Sequence, residues 1–500
     1  MFSRFFLYLC LGKISRQPMN LPIDFVQQIH TLLGQDEAIR LADAIQTDAP
    51  VSIRLNEKKC KEVLSSRMPL QGQVPWCPMG YYLDRRPAFT FDPLWHAGLY
   101  YVQEASSMFL QQALCRYADM SHPLCVLDLC ASPGGKSTHL RSLLTDDSLF
   151  ISNEIVRTRA QVLAENMTRW GHPSVVVTNS APDDFTPMEA CFDLVLADVP
   201  CSGEGMFRKD EDSIKEWSTS NVDTCWRRQR TILEAIWPTL KPGGLLIYST
   251  CTYNIHENEE NIRWMRDEYA AEILPLDVPM DWHITGCLLP GEDFPIYRFL
   301  PYRTRGEGFC MAILRKPGES EAGFAPSAIR RKKEKPGKKP GKKPLEAFNK
   351  AQLAEARSWL KDAPGYEVLT QEDLAFAFPS QWIGMLNVLQ SHSLHILMAG
   401  TAIARLKGRD LMPCHSLAMS LLMSGGAFPR VDLDYAEAIS YLRRESIVLR
   451  GDAPRGYVLA TYRGCPLGFL KNVGNRANNL YPQEWRIKSG YMPGEDPSPL

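Results

Sequence analysis

Five short apolar runs, each followed by a turn and a helical pattern, constrain the fold of this chain more than any other feature. They lie at 125–129, 149–152, 175–178, 194–197 and 245–248. A strand that is apolar on both faces must be covered on both faces, and strands alternating with helices pair in parallel. The stretch from about 106 to 316 therefore predicts an α/β sheet of Rossmann-like type. In such sheets ligands gather at the carboxyl ends of the strands. The pattern also predicts that the helix near 221–240 stops at Lys241-Pro-Gly-Gly244, where proline and glycine interrupt a helix.

The rest of the chain separates around this block. At 500 residues it is too long for one core, so several domains are expected. Residues 1–19 read as an over-extended start. Phe5 to Leu11 is apolar, but Lys13 and Arg16 follow it with no cleavage pattern. Residues 20–105 combine an amphipathic helix (Phe25, Ile29, Leu32, Leu33) with a strand-like run at 51–55. Residues 317–344 turn to Gly, Pro and Lys, with nine basic residues and one acid between Arg330 and Lys343. Such a segment cannot bury a core and reads as an extended linker, with phosphate contact as a compatible role. Residues 345–425 are expected to be helical, and 426–490 to form a small β domain.

Composition excludes little. The charged fraction is 23% and the net charge is −1, so only the local distribution of charge could speak for nucleic acid. Fourteen cysteines contain no CxxC pair, which fits scattered reduced thiols, a cytoplasmic protein and no metal centre. No segment approaches the ~18 apolar residues of a membrane span.

The first apolar run leads into Cys130-Ala-Ser-Pro-Gly-Gly-Lys136. A phosphate-binding loop of the GxxxxGK[ST] type would need glycine at position 130, and Pro133 removes a backbone donor, so a nucleotide hydrolase is disfavoured. The second run ends in Glu154, placed where a carboxylate accepts hydrogen bonds from ribose hydroxyls. A ribose-bearing cofactor without a long phosphate chain fits, and S-adenosylmethionine is the commonest. Asn179 and Asp198, at the ends of the third and fourth runs, would line the same cleft. Capping of a helix or turn is the plainer role for Glu154 and Asn179.

Two cysteines leave the sheet on that side. Asp198-Val-Pro-Cys201 follows the fourth run, and Ser249-Thr-Cys251 follows the fifth. Most lone cysteines are inert, but these two stand in ligand-edge loops. Carbon 5 of cytosine is too weakly nucleophilic to take a methyl group directly. A thiolate added at carbon 6 makes an enamine-like ring whose carbon 5 can attack a sulfonium methyl. Asp198 could hold or protonate the base at N3. A base stacked in a duplex cannot reach such a pocket, so the target must be flipped or single-stranded.

Three segments, Ala131-Ser-Pro-Gly-Gly-Lys136, Asp198-Val-Pro-Cys-Ser-Gly203 and Ser249-Thr-Cys-Thr-Tyr253, together resemble the Nop/Sun family of RNA 5-methylcytosine methyltransferases, in its RsmF-type branch acting on 16S ribosomal RNA. The resemblance is strong over 20–316 and looser beyond. It implies a class I S-adenosylmethionine-dependent methyltransferase domain with an N-terminal RNA-binding extension and a C-terminal PUA-like β domain. It further implies that Cys251 is the covalent nucleophile and that Cys201 is needed for product release, with Asp198 and Lys136 beside them. Cofactor contacts would fall on Cys130, Ala131, Ser132, Pro133, Gly134, Gly135, Lys136, Glu154, Asn179 and Asp198. The family often has alanine where Ser132 stands, and Asp-Gly or Asp-Pro where this chain has Asn179-Ser. Arg54, Arg85, Arg86, Lys471 and Arg476 are candidate RNA contacts. The partner implied is ribosomal RNA or the small ribosomal subunit, bound by a monomer. A transfer RNA target, and a non-catalytic RNA-binding assembly factor, remain as alternatives.

Overall fold

The structure is a computed structural model that describes residues 20–60, 70–319, 348–392, 394–449, 453–491 and 493–500. The apolar start and the basic run at 330–343 lie outside the described residues. Among the described residues no helix is long and apolar enough to cross a membrane.

The apolar runs form a central sheet whose strands are numbered here along the chain. They are β1 (Cys125–Asp128), β2 (Leu149–Asn153), β3 (Val175–Thr178), β4 (Phe192–Asp198), β5 (Leu240–Thr250), β6 (Glu272–Ile273), β7 (Tyr297–Phe299), β8 (Phe309–Arg315) and β9 (Ile396–Ala399). The order is β6-β8-β5-β4-β1-β2-β3-β9, with β7 also on β8. The five strands from β5 to β3 run parallel, as the double-sided apolar pattern requires. Strand order reverses beside β1, so the ends of β1, β2, β4 and β5 surround one crevice.

One boundary differs from expectation. The helix Thr219–Ile236 ends before Lys241, and the short turn Trp237–Thr239 carries Pro238. Pro238 has no N–H to continue the helical ladder. Lys241-Pro-Gly-Gly244 instead belongs to β5. The Gly243 N–H donates to Lys316 O (2.9 Å), and the Lys316 N–H donates to Gly244 O (3.0 Å). The pairing with β4 slips between Phe192 and Leu194.

The region 345–425 is not helical as expected. It holds helices Lys350–Ser358 and Ile383–Ser391, but also a four-stranded antiparallel sheet built from Tyr366–Gln371, Leu374–Pro379, Thr401–Lys407 and Asp410–Pro413. The aromatic, alternating run Ala375-Phe-Ala-Phe378 suits a strand better than a helix. Within this region β9 crosses to the central sheet and runs antiparallel to β3, pairing Met398 with Val177 and Ala399 with Val176. Trp382, Met385, Leu386 and Leu389 join the same core as Leu127, Ile151 and Val195.

The N-terminal segment contains helices Ile23–Leu33 and Gln35–Ile45, and a sheet of Leu70–Val74, Cys77–Leu83, Val51–Leu55 and Tyr100–Val102. Its core is shared with the C-terminal β region, where Ile53, Phe89 and Leu94 pack with Ile439, Tyr441 and Leu470. Arg54 is not free to meet phosphate. Only 1% exposed, it donates to Gln103 Oε1 and Thr138 Oγ1 (both 2.7 Å) and lies 4.5 Å over the Trp170 ring. It is an internal strut between the N-terminal and central sheets.

Because β9 and its helix belong to the central core, Leu389→Ala is expected to destabilise the whole sheet by about 2–5 kcal/mol. Denaturation followed by tryptophan fluorescence reads this. A loss confined to a separate, weaker transition would show that the C-terminal region folds by itself.

Candidate active site

The parallel register of β4 and β5 sets Asp198 opposite Ser249, so the two strands end at one level. The Val199 N–H donates to Ser249 O (3.1 Å) and carries the alignment one residue past the strand. Two residues further along each chain the thiols meet. Cys201 Sγ lies 3.3 Å from Cys251 Sγ and 3.3 Å from the Cys251 N–H. The contact with Cys251, and then burial, hold the Cys201 thiol well above its ordinary range, so it keeps its proton at neutral pH. The loop turns back under Cys251 at Gly205, whose N–H donates to Cys251 O (2.9 Å). A Cβ there would stand 2.5 Å from Gly308 O, so only glycine fits.

Two buried carboxylates fix this loop pair, and sequence reasoning missed both. Glu204 accepts the Tyr253 N–H (2.7 Å) and the Asn254 N–H (3.0 Å), together with the side chains of Asn254, Trp217 and Gln28. Gln28 belongs to the N-terminal helix, whose Phe25 packs edge-on against Phe207 and Trp217. Glu257 accepts the Ser202 N–H (3.0 Å), Gln229 Nε2 (2.7 Å) and Asn254 Nδ2 (2.8 Å). Burial outweighs these bonds and pushes the Glu257 carboxyl up to about 7. Underneath, the buried pair Arg298–Glu259 anchors the same segment, with Arg298 donating to Tyr253 O (2.6 Å). The signal in the sequence was Asn254-Ile-His-Glu-Asn-Glu-Glu260, a dense polar run directly after an apolar strand.

Lys136 joins the thiols to the glycine loop. Its ammonium donates to Asp198 Oδ2 (2.8 Å), whose Oδ1 accepts Ser249 Oγ (2.7 Å). Burial works against the charge on Lys136, but Asp198 outweighs it and Cys251 adds to the attraction, so the ammonium is held above its usual range. The same ammonium sits 5.1 Å over the Phe309 ring.

The glycine loop is closed by local bonds. The Ala131 N–H donates to Asn153 O (2.8 Å), Ser132 Oγ to Arg159 O (3.0 Å), and Asn166 Nδ2 to Pro133 O (2.7 Å). Gly134 takes φ +110, a backbone that side chains disfavour, and starts the helix Gly135–Leu143. Cys130 is an interior thiol that burial pushes far up, so it carries no nucleophile. Glu154 accepts the Val156 N–H (2.9 Å) and meets Arg159 at 3.4 Å. Asn179 works as a clamp, with Nδ2 donating to Glu154 O (2.7 Å) and Ile155 O (2.9 Å), and its N–H donating to His395 O (2.8 Å) just before β9.

The residues present fit S-adenosylmethionine. Asp128, at the end of β1, accepts Ser137 Oγ (2.7 Å) through one oxygen while the other, buried, has no partner; burial pushes its carboxyl up to about 7. Asp128, Glu154 and Asp198 line the crevice with carboxyl oxygens, and the unclaimed Asp128 oxygen can accept a hydrogen bond from an ammonium or hydroxyl group. Ile155 and Val156, 57% and 44% exposed beside Glu154, offer an apolar face for a purine. Asp128, Ile155 and Val156 were not singled out from sequence. Farther off, Arg85 and Arg86 are exposed, Lys471 lies 5.0 Å over Tyr457, and Arg476 lines an open polar cleft with Arg444, Asn478 and Gln483.

Three family descriptions match the chain in succession. They are the N-terminal domain of 16S rRNA methyltransferase RsmF over residues 21–105, 16S rRNA methyltransferase RsmB/F over 119–315, and the methyltransferase RsmF PUA domain over 428–487. The ribosomal RNA small subunit methyltransferase F of Erwinia tasmaniensis is 31% identical over 482 residues, covering 93% of this chain and 96% of its own. That of Salmonella typhi is 33% identical over 435 residues, covering 82% and 84%. Among solved structures, a methyltransferase homolog from Pyrococcus horikoshii is 29% identical with a TM-score of 0.50, covering 62% of this chain and 97% of its own. The chain belongs to the family of ribosomal RNA small subunit methyltransferase F, and S-adenosylmethionine is its methyl donor.

Proposed function

We propose that the protein methylates carbon 5 of a cytosine in 16S ribosomal RNA through a transient bond between Cys251 and carbon 6 of that base. The observation that carries this reading is the contact of two thiols at two adjacent strand ends, 3.3 Å apart and beside the Lys136–Asp198 pair. The names of the curated relatives supply the RNA class.

Each residue then has a part. Lys136 lies within electrostatic reach of Cys251, and the sulfur reacts as its thiolate. That thiolate adds to carbon 6, and the electron pair of the 5,6 double bond moves to carbon 5. Asp198, its side chain 31% exposed, accepts a hydrogen bond from N3 of the sulfur adduct, protonated from water, and holds the ring in place. The glycine loop with Asp128 and Glu154 would hold S-adenosylmethionine, which would supply an electrophilic methyl group. After carbon 5 has taken that methyl, water takes its proton, the double bond reforms and the carbon 6–sulfur bond breaks, returning the electron pair to sulfur. Cys201, kept protonated against Cys251, offers its S–H as a hydrogen bond to the sulfur as it departs as a thiolate. Glu204 and Glu257 touch no reacting atom; they keep the two loops in register.

Cys251→Ala is expected to lower methyl transfer at least about a thousandfold, about 4 kcal/mol in barrier, and to form no covalent complex. Cys201→Ala is expected to accumulate a protein–RNA adduct that survives denaturing electrophoresis. Parental rates in both variants would overturn the mechanism. Mapping of 5-methylcytosine in ribosomal and transfer RNA, with and without the gene, tests the substrate; loss of a mark in transfer RNA alone would replace it.

The Glu257 carboxyl gives a pH prediction. Its folded value, about 7, stands above the ordinary 4.5 of a glutamate. The native state therefore holds the proton more tightly, and this contribution is full below about pH 4.5 and lost as pH rises through 7. Glu257→Gln removes that dependence. Denaturant midpoints of variant and parent should diverge between about pH 5 and pH 8, with the parent losing the more; parallel profiles would refute it.

A further inference from the structure

Beside the cysteine pair, the helix Thr219–Ile236 and the segment after Cys251 build a run of stacked planar groups that the chemistry above does not use. The Arg230 guanidinium carbon lies 4.9 Å from the Trp264 ring and 4.3 Å from the Trp226 ring. Trp226 in turn stacks on His256, with centroids 4.6 Å apart and planes 19° apart. Each member is held. Arg230 Nε donates to Asn261 Oδ1 (3.2 Å), and His256 Nδ1 meets Glu260 Oε2 at 2.5 Å. The run ends at His256, whose side chain is 38% exposed.

That end lies on the segment that leads away from the reacting sulfur. His256 follows Cys251 by five residues and directly precedes Glu257, which holds the Cys201 turn. Cys225, next to Trp226, is within electrostatic range of Cys251, Glu257 and Arg228. Arg228 is exposed and, among the described residues, makes no hydrogen bond or ion pair, whereas its neighbour Arg227 pairs with Asp223 at 2.8 Å. An immobilised, partly exposed ring and an uncommitted guanidinium on the helix packed against it suit an unpaired nucleotide, one base and one phosphate.

We propose that His256 is a stacking shelf for an RNA base flanking the target cytosine, with Arg228 taking the adjoining phosphate. This rests on the RNA substrate proposed above and deepens it. Drawing a cytosine into the crevice unstacks its neighbours, and a preformed shelf replaces part of the lost stacking. Trp264, Arg230 and Trp226 stiffen the shelf, so the base meets a ring that needs no ordering on binding.

The test uses the full chain and a single-stranded RNA oligonucleotide bearing a labelled end, read by fluorescence anisotropy. His256→Ala should raise Kd by about fivefold to a hundredfold. The rise should appear in KM rather than kcat, with cofactor affinity and melting temperature unchanged. His256→Phe keeps a ring face and should restore most of the affinity. Arg228→Ala should reduce the slope of log affinity against log salt by about one. A parental Kd in His256→Ala, or equal defects in the Ala and Phe variants, would overturn the shelf. The binding measurement reads the shelf whether or not methyl transfer is found, so failure of the proposed reaction and failure of the shelf are separable.

Discussion

Glu204 and Glu257 are buried acids that accept hydrogen bonds from both cysteine loops, and the geometry of the site depends on this bracing. Parallel strands deliver their ends to one level, but each strand then gives way to a loop with no ladder of its own. Glu204 ties the loop of Cys201 to the backbone of Tyr253 and Asn254, and Glu257 ties the segment after Cys251 back to Ser202. Two thiols can then stay in contact without a covalent link. A buried acceptor with several donors costs far less than an unmatched one, so the bracing is stable only when all its parts are present. Gln28 brings the N-terminal helix into this set.

The second coupling runs through Lys136 and Asp198, which bridge the glycine loop and the end of β4. One ammonium thereby influences both halves of the crevice. It faces Asp198 and Asp128 on one side and the sulfur of Cys251 on the other. A low-dielectric setting strengthens such interactions, and the Phe309 ring over the ammonium keeps water from one side of it. The two halves are linked by a side chain at the start of a helix, where backbone geometry is well defined.

Much of this was legible in the sequence because it is local. Apolar runs fix strands, and the residues just past each strand fall at the ligand edge. That is why Lys136, Glu154, Asn179, Asp198, Cys201 and Cys251 could be placed around one crevice. Illegible features depend on contacts far apart in the chain. Arg54 looks like a surface cation until Thr138 and Trp170 close over it. Asn179 could be placed at the crevice, but the clamp its amide nitrogen makes on the backbone of Glu154 and Ile155 could not. Glu204 and Glu257 sit in polar stretches whose pattern does not distinguish a solvated loop from a buried network. Lys241-Pro-Gly-Gly244 has helix-stopping composition, but Pro238 had already ended the helix and the segment joined a strand. Residues 366–413 gave too little periodicity to separate helix from short strands, and their link to the catalytic sheet left no mark in composition.

The position of β9 bears on how the protein is made. Ribosomes release a chain from its N-terminus, so β1 to β8 emerge long before residues 396–399. Until then β3 presents a bare row of amide and carbonyl groups along an apolar strand, the kind of edge that recruits other strands. The newborn enzyme thus has both cysteine loops, its glycine loop and most of its sheet while one flank is still unsealed. Its final third is the stopper for that flank.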